Sequence, residues 1–169
     1  MLYLLDTNVL IDANRDYYPI ARVPEFWDWL RYQGEQERIR IPMEVLEEIT
    51  AGYEDDLTVW ARDHAVVAAL ALREEPEVAD VSRVVSEGYA ADLTDEEVEK
   101  LGFDPFIIAY ALRQPGGRCV VTTESSRPAK TRANRKAPDV CRTLGVPCCN
   151  TFELLRTLNF ATNWSRGSG

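Results

Sequence analysis

Acidic residues lie beside several apolar segments of this 169-residue chain. Asp6 comes directly after the apolar segment 2–5, and Glu124 comes two residues after the segment 119–122. If these segments are parallel strands, their carboxyl ends meet at one edge of a sheet, where functional groups collect. The acids that would converge there are Asp6, either Glu47 or Glu48, Asp104 and Glu124. Carboxylates packed together repel, and Mg²⁺ or Mn²⁺ would remove that repulsion and bridge to the phosphate oxygens of a substrate.

Each of these acids also has a purely structural interpretation. Asp6 precedes a predicted helix, and Asp104 stands directly before Pro105, so both suit the cap of a helix. Glutamates in a helix, such as Glu44 and Glu47, are usually surface residues. Glu124 also fits a solvated loop. Position alone therefore leaves the metal site and the structural role open.

Composition limits the class of protein. The chain is 46% hydrophobic and 28% charged, which is typical of one globular domain with its own core. The single histidine, His64, and the four cysteines lack the spacing of a zinc site. No apolar run approaches 18 residues, and no basic region precedes the first apolar residues, so we expect a cytoplasmic protein without a membrane span.

Charge is distributed unevenly along the chain. The net charge of −9 argues against a nucleic-acid partner, because phosphate binding needs positive charge. The segment 44–104 contains 18 acids and 4 bases, whereas the segment 113–142 contains 8 bases and 2 acids. The basic segment is therefore a candidate phosphate-binding surface.

Short apolar runs alternate with amphipathic segments, which predicts strands alternating with helices. The predicted strands are 2–5, 38–41, 119–122 and 146–149, and the predicted helices include 24–33, 42–52, 56–72, 76–87, 94–101, 106–112, 138–144 and 151–158. Thr151 is the expected cap of the last helix, and 125–137 is an expected exposed loop. The pattern predicts a three-layer α/β/α fold with a central parallel sheet of four to five strands and extra helices in the middle of the chain. We expect one domain over 1–160 and a flexible tail over 161–169.

Four stretches, in order, resemble the motifs of the PIN-domain nucleases. Leu4–Ile11 resembles the opening motif, an apolar strand followed by D-T-N or D-S-N. Pro42–Gly52 resembles the second, a glutamate with a glycine four residues later, which selects Glu48. Phe103–Ala111 resembles the third, in which an aspartate opens an apolar helix, and Val120–Glu124 resembles the fourth, a strand followed by T-x-D.

The resemblance extends over nearly the whole chain, to about residue 160. Asp104-Pro105, Thr123-Glu124 and Pro138–Cys141 are most similar to DUF4411, an uncharacterised PIN-like branch. Glu124 departs from the pattern, because many PIN domains have aspartate at that position. The segment 54–101 is also longer than the helical pair of a minimal toxin ribonuclease, which indicates an added helical element.

The resemblance implies a metal-dependent endoribonuclease similar to the toxins of bacterial VapC-type toxin–antitoxin pairs. It implies that Asp6, Asp104 and Glu124 bind one or two Mg²⁺ or Mn²⁺ ions, with Glu48 as a further ligand or as an acid that orients water. It implies hydrolysis of RNA to 5′-phosphate and 3′-hydroxyl ends. A cognate antitoxin and a homodimer are the expected protein partners. The residues expected to position ligands or contact RNA are Asn8, Thr123, Arg127, Lys130, Arg132, Arg135 and Lys136.

Two other classes of function stay open. A PIN-like fold can serve as a non-catalytic module that binds RNA or protein, and the longer Glu124 side chain is compatible with an incomplete metal site. A phosphatase of the haloacid dehalogenase type also has an aspartate after its first strand. Its D-x-D motif needs a second acid, however, and Asn8 stands at that position here.

Overall fold

A computed structural model describes residues 1–167 of the chain. Its central feature is one sheet of five parallel strands in the order β3-β2-β1-β4-β5, which confirms the predicted α/β fold. The strands are β1 (Leu2–Leu5), β2 (Ile39–Pro42), β3 (Ala71–Leu72), β4 (Arg118–Val121) and β5 (Cys148–Cys149). The chain builds the sheet from β1 to β3 in one direction and then returns to the other side of β1 for β4 and β5.

Helices connect the strands and cover the sheet. Within residues 1–167 the α-helices are α1 (Thr7–Asp12), α2 (Pro24–Glu35), α3 (Met43–Thr50), α4 (Asp56–Arg62), α5 (His64–Leu70), α6 (Val78–Arg83), α7 (Asp95–Lys100), α8 (Asp104–Leu112), α9 (Ala137–Leu144) and α10 (Thr151–Thr157). π-Helical turns extend α1 over Ala13–Tyr17 and α6 over Val84–Tyr89. Helices α4 to α7 are the predicted insertion in the middle of the chain.

Alternating side chains of the strands form a core on each face of the sheet. Tyr3 and Leu5 of β1 pack on one face with α2, α3, α5 and α10. Leu4 points to the opposite face and packs with α8 and α9. Successive residues of a strand point to opposite faces, so the apolar segment 2–5 serves both cores. The three layers are therefore helix, sheet and helix, as predicted.

The predicted helix 56–72 is wrong in two respects. It breaks at Asp63, whose carboxylate accepts hydrogen bonds from the backbone N–H groups of Ala65 and Val66 and so begins a new helix. Its last two residues, Ala71 and Leu72, form strand β3 beside β2. The apolar pattern did not separate this buried strand from the helix before it, because both are continuously apolar.

The predicted cap of the last helix is displaced by one residue. Asn150, not Thr151, accepts from the backbone N–H of Glu153, and the Glu153 side chain accepts from the backbone N–H of Asn150. Thr151 is instead the first helical residue, with a buried hydroxyl. Helix α7 begins with a capping box formed by Thr94 and Glu97.

The predicted loop 125–137 has two parts. Residues 125–131 are exposed, as expected. The second part contacts the body of the protein, because Arg132 pairs with Asp92 and Glu97 at 2.7 Å each, and Ala133 is buried. Arg135 donates to the carbonyl oxygen of Gly88. The acidic middle of the chain thus binds part of the basic segment.

Most of the predicted tail also lies within the described residues. The indole nitrogen of Trp164 donates to the Glu25 carbonyl oxygen at 3.1 Å, and its ring centroid lies 4.9 Å from that of Tyr32. Residues 168 and 169 of that tail lie outside the described residues. Among the helices of residues 1–167, none combines the length and apolar character needed to cross a membrane.

Candidate active site

The candidate site lies at the carboxyl ends of β1 and β4. These neighbouring strands mark the point where the strand order reverses. The two strands pair along their length from Leu2 with Arg118 to Leu5 with Val121. Asp6 follows β1 and donates its backbone N–H to the Val121 carbonyl oxygen at 3.0 Å. In open parallel sheets, ligands bind outside the carboxyl ends of the strands at such a reversal point. The topology therefore brings the segments that contain Asp6 and Glu124 side by side.

Asp6 is buried and does not cap the helix that follows it. Its side chain makes no capping hydrogen bond to α1, although the residue occupies the N-cap position. Its Oδ2 instead accepts from Thr122 Oγ1 at 2.9 Å. Burial raises the pKa of Asp6, and the charges of Glu124 and Glu48 raise it further, whereas hydrogen bonds from Thr122 and Thr7 oppose the rise.

Asp104 is the first residue of α8 rather than its cap, which is Phe103. Burial raises its pKa to about 7, and the charges of Asp6, Glu124 and Glu48 contribute to the rise, whereas Lys136 opposes it. Direct contacts also join the four acids, because Asp104 and Glu124 line one cavity, Thr122 bonds both Asp6 and Glu124, and Thr7 beside Asp6 bonds Glu48. The carboxylates from four separate segments thus form one cluster, the carboxylate cluster.

Helix α3 brings Glu48 to this cluster and turns its neighbours elsewhere. Thr7 Oγ1 donates to Glu48 Oε2 at 2.5 Å, which joins α3 to α1. Glu44 accepts instead from the Tyr110 hydroxyl at 2.9 Å, and the Glu47 side chain has no hydrogen-bond partner among the described residues. Of the three glutamates in α3, Glu48 is therefore the one that contacts the segment beside Asp6.

Glu124 already has partners within the protein. Its carboxylate accepts from the backbone N–H of Ala137 at 2.9 Å and pairs with the Lys136 ammonium group. Its own backbone N–H donates to Thr122 Oγ1 at 3.2 Å. Thr122 therefore contacts both Asp6 and Glu124, and it fixes the separation of the two segments.

A cavity of about 340 Å³, the carboxylate cavity, opens beside Asp104 and Glu124. Besides these two acids it is lined by five cationic residues, namely Lys100, Arg127, Lys130, Arg135 and Lys136. Tyr89 also lines it, with a buried hydroxyl that has no hydrogen-bond partner among the described residues. Burial, together with nearby acids that include Asp104, raises the pKa of this phenol, so it stays protonated and is a hydrogen-bond donor. Acids and cations thus share one space, and a buried donor without a partner belongs to a residue of its wall.

The basic residues expected to contact RNA differ in their surroundings. Arg132 is engaged by Asp92 and Glu97 and does not line the carboxylate cavity. Arg135 lines the cavity, but its guanidinium donates to the Gly88 and Asp139 carbonyl oxygens and to Thr143. Arg127 and Lys130 also line the cavity, and their residues are exposed. They are therefore the most accessible cations of the expected set.

The remaining two expected residues, Asn8 and Thr123, do not line the carboxylate cavity. Asn8 is exposed in the first turn of α1. Thr123 lines a neighbouring cavity rather than the carboxylate cavity. Sequence reasoning missed the contacts of Thr7 and Thr122, although both belong to the stretches that resemble the first and the fourth motif. It also missed Lys100 and Tyr89, for which the sequence contained no signal, since both come from the inserted helical region.

The donor set suits a hard divalent cation in its chemistry, because it consists of carboxylate oxygens. As they stand, however, the His, Cys, Asp and Glu side chains of residues 1–167 include no group of three arranged to hold a metal ion. Glu124 is paired with Lys136. Metal binding would require Glu124 to exchange Lys136 for the cation.

Comparison with known proteins gives a family but no activity. No curated protein and no solved structure matched the chain. The sequence profile of a domain of unknown function, DUF4411, matches residues 3–162. That range includes all four acids of the cluster and every element that positions them. The chain therefore belongs to the DUF4411 family.

Proposed function

We propose that this protein is a metal-dependent ribonuclease that hydrolyses phosphodiester bonds of RNA. The observation that carries the proposal is the carboxylate cluster at the reversal point of the sheet, beside a cavity lined by cations. Acids alone would repel a phosphate, and cations alone would only bind one. A site with both suits a phosphodiester that is bound and then cleaved. The choice of RNA rests on the sequence resemblance to PIN-domain nucleases.

Asp6 and Asp104 would hold Mg²⁺ or Mn²⁺, with Glu124 joining them after releasing Lys136. When bound, the cation would neutralise the carboxylates and activate water for attack on phosphorus. Glu48, oriented by Thr7, is suited to accept a proton from that water. Arg127 and Lys130 would bind the RNA backbone, and the Tyr89 hydroxyl would donate to a phosphate oxygen. A toxin role, an antitoxin and a homodimer stay predictions from the sequence.

Cleavage of a labelled single-stranded RNA of mixed sequence tests the proposal. With Mn²⁺ or Mg²⁺ the wild-type protein should produce fragments with 5′-phosphate and 3′-hydroxyl ends. Asp6→Asn should slow cleavage at least about 100-fold, because it removes a negative ligand while its side-chain oxygen still accepts from Thr122. Asp28→Asn is the matched control, since Asp28 is exposed on α2. Equal cleavage by wild type and Asp6→Asn, or cleavage in EDTA, would refute the proposal.

One observation favours a second function, a non-catalytic module that binds RNA or protein. Glu124 is paired with Lys136, and this pair neutralises an acid without any metal. A module of this kind should bind neither Mg²⁺ nor Mn²⁺ tightly. Titration of the metal-free protein with Mn²⁺ separates the two functions, because the nuclease requires binding that Asp6→Asn weakens.

A further inference from the structure

A second cavity, the aromatic cavity, is lined by Thr123 and Ser125, the two chain neighbours of Glu124. It has a volume of about 280 Å³ and lies between the first and the last helix of the chain. Its lining includes Val9, Asp12, Tyr17, Thr123, Thr151 and Phe152. This volume is near the lower end of the range for small-molecule pockets, about 300 to 1,000 Å³, so it suits one ring system rather than a long segment.

The two cavities share one short stretch of chain after β4. Thr123 and Ser125 line the aromatic cavity, whereas Glu124 between them lines the carboxylate cavity. A ligand that places one group beside Glu124 therefore has its next group within reach of the aromatic cavity. Single-stranded RNA has such alternating groups, a phosphate followed by a base.

Two aromatic side chains at the aromatic cavity are unusually exposed. Tyr17 is 53% exposed and Phe152 is 45% exposed. Their ring centroids lie 5.3 Å apart, and the rings are nearly perpendicular at 87°. In this edge-to-face arrangement one ring keeps a face open for a further planar group. Open aromatic faces are how proteins bind single-stranded bases without strong sequence preference.

The wall of the same cavity also contains an unused polar group. Thr151 is 8% exposed, and its hydroxyl has no hydrogen-bond partner among the described residues. Leaving such a group unpaired costs stability, about 1 to 3 kcal/mol. The hydroxyl is itself buried, so a base in the cavity would bond it only after the Thr151 side chain rotates.

We propose that the aromatic cavity binds one base of single-stranded RNA, stacked on the open face of one ring of the Tyr17–Phe152 pair and in edge contact with the other ring, while a neighbouring phosphate enters the carboxylate cavity. This proposal rests on the proposed function, because RNA is its ligand. It adds a determinant of substrate choice. Single-stranded RNA is accepted, and a paired duplex, whose bases cannot turn outward, is rejected.

Fluorescence anisotropy with two labelled probes tests the base site. One probe is decauridylate, and the other is a ribose-phosphate oligomer of equal length without bases. The full-length protein is measured with Ca²⁺ in place of Mg²⁺, so that binding is observed without cleavage. Stacking on one base corresponds to about 5- to 150-fold in affinity, so wild type should bind decauridylate at least about fivefold more tightly than the abasic probe.

Tyr17→Ala and Phe152→Ala should weaken binding of decauridylate about 5- to 20-fold and leave binding of the abasic probe unchanged. Phe152→Tyr keeps a ring and should bind as wild type does. Tyr53→Ala is the control, because the Tyr53 side chain belongs to neither cavity and the residue is 93% exposed. Circular dichroism checks that each variant is folded.

Three results separate this inference from the nuclease proposal. If wild type does not distinguish the two probes, or if the alanine variants weaken both equally, the base site is overturned even in an active nuclease. A preference for decauridylate that the alanine variants abolish supports the base site. If wild type prefers decauridylate in this way but wild type and Asp6→Asn cleave RNA equally well, the base site stands and the nuclease proposal fails.

Discussion

Asp104 retains its proton to a much higher pH in the folded protein than in the unfolded chain. Burial and three neighbouring carboxylates raise its pKa to about 7, whereas an unfolded aspartate titrates near 4. Below about pH 4 the carboxyl is protonated in both states and does not lower the free energy of unfolding. As pH rises to 7 and above, the unfolded chain releases the proton more readily, so the free energy of unfolding falls.

Replacement of this carboxyl should therefore stabilise the metal-free protein only at higher pH. At pH 8 we expect Asp104→Asn to raise the free energy of unfolding by about 2 to 4 kcal/mol relative to wild type, and at pH 4 we expect little difference. Urea denaturation in EDTA measures both values. Asp95→Asn, at an exposed position of α7, is the control and should show no such pH dependence. A gain of equal size at both pH values would contradict the account.

Tyr89 combines a buried phenol with a hydroxyl that has no partner among the described residues. Such a group costs stability unless a ligand uses it. Tyr89→Phe should therefore leave the urea midpoint unchanged or slightly higher, while it slows RNA cleavage about tenfold because one donor to the phosphate is lost. Parallel measurement of stability and cleavage checks this. Loss of stability together with unchanged cleavage would assign Tyr89 to the core alone.

At the scale of elements, two adjacent glutamates of α3 differ in their contacts. Both residues are exposed, but Glu48 accepts from Thr7 and interacts with Asp6, whereas the Glu47 side chain has no hydrogen bond or ion pair among the described residues. Successive residues of a helix point about 100° apart, so only one of the two can face α1. We expect Glu48→Gln to lower the cleavage rate at least about tenfold and Glu47→Gln to leave it within about twofold. Equal effects of the two variants would remove Glu48 from the site.

Sequence patterns predicted the elements that position the acids better than those between them. Strands near 2–5 and 119–122 were predictable because buried parallel strands are short and continuously apolar. The same property concealed β3 at the end of α5, where the chain stays apolar while it changes from helix to strand. The convergence of Asp6 and Glu124 followed from strand ends. The pairing of Lys136 with Glu124 did not, because it depends on how the loop between them returns to the sheet.

At the scale of the whole molecule, opposite charges from distant parts of the chain neutralise each other. Glu74, in the acidic middle, bonds Arg118 at 2.6 Å and Arg113 at 3.3 Å, and these contacts lower the pKa of Glu74. Arg132 pairs with Glu97 in the same way. Counting charges along the sequence therefore overstated the basic surface available to RNA. What remains is the smaller set of cations that lines the carboxylate cavity.

The central claim is that the carboxylate cluster binds a divalent cation. Anomalous difference density from crystals of the protein soaked in millimolar Mn²⁺ tests it most directly. We expect a peak within about 2.0 to 2.4 Å of oxygens from at least two of Asp6, Glu48, Asp104 and Glu124, with Lys136 displaced from Glu124. Absence of any peak near these four residues, with Glu124 still bonded to Lys136, would contradict it.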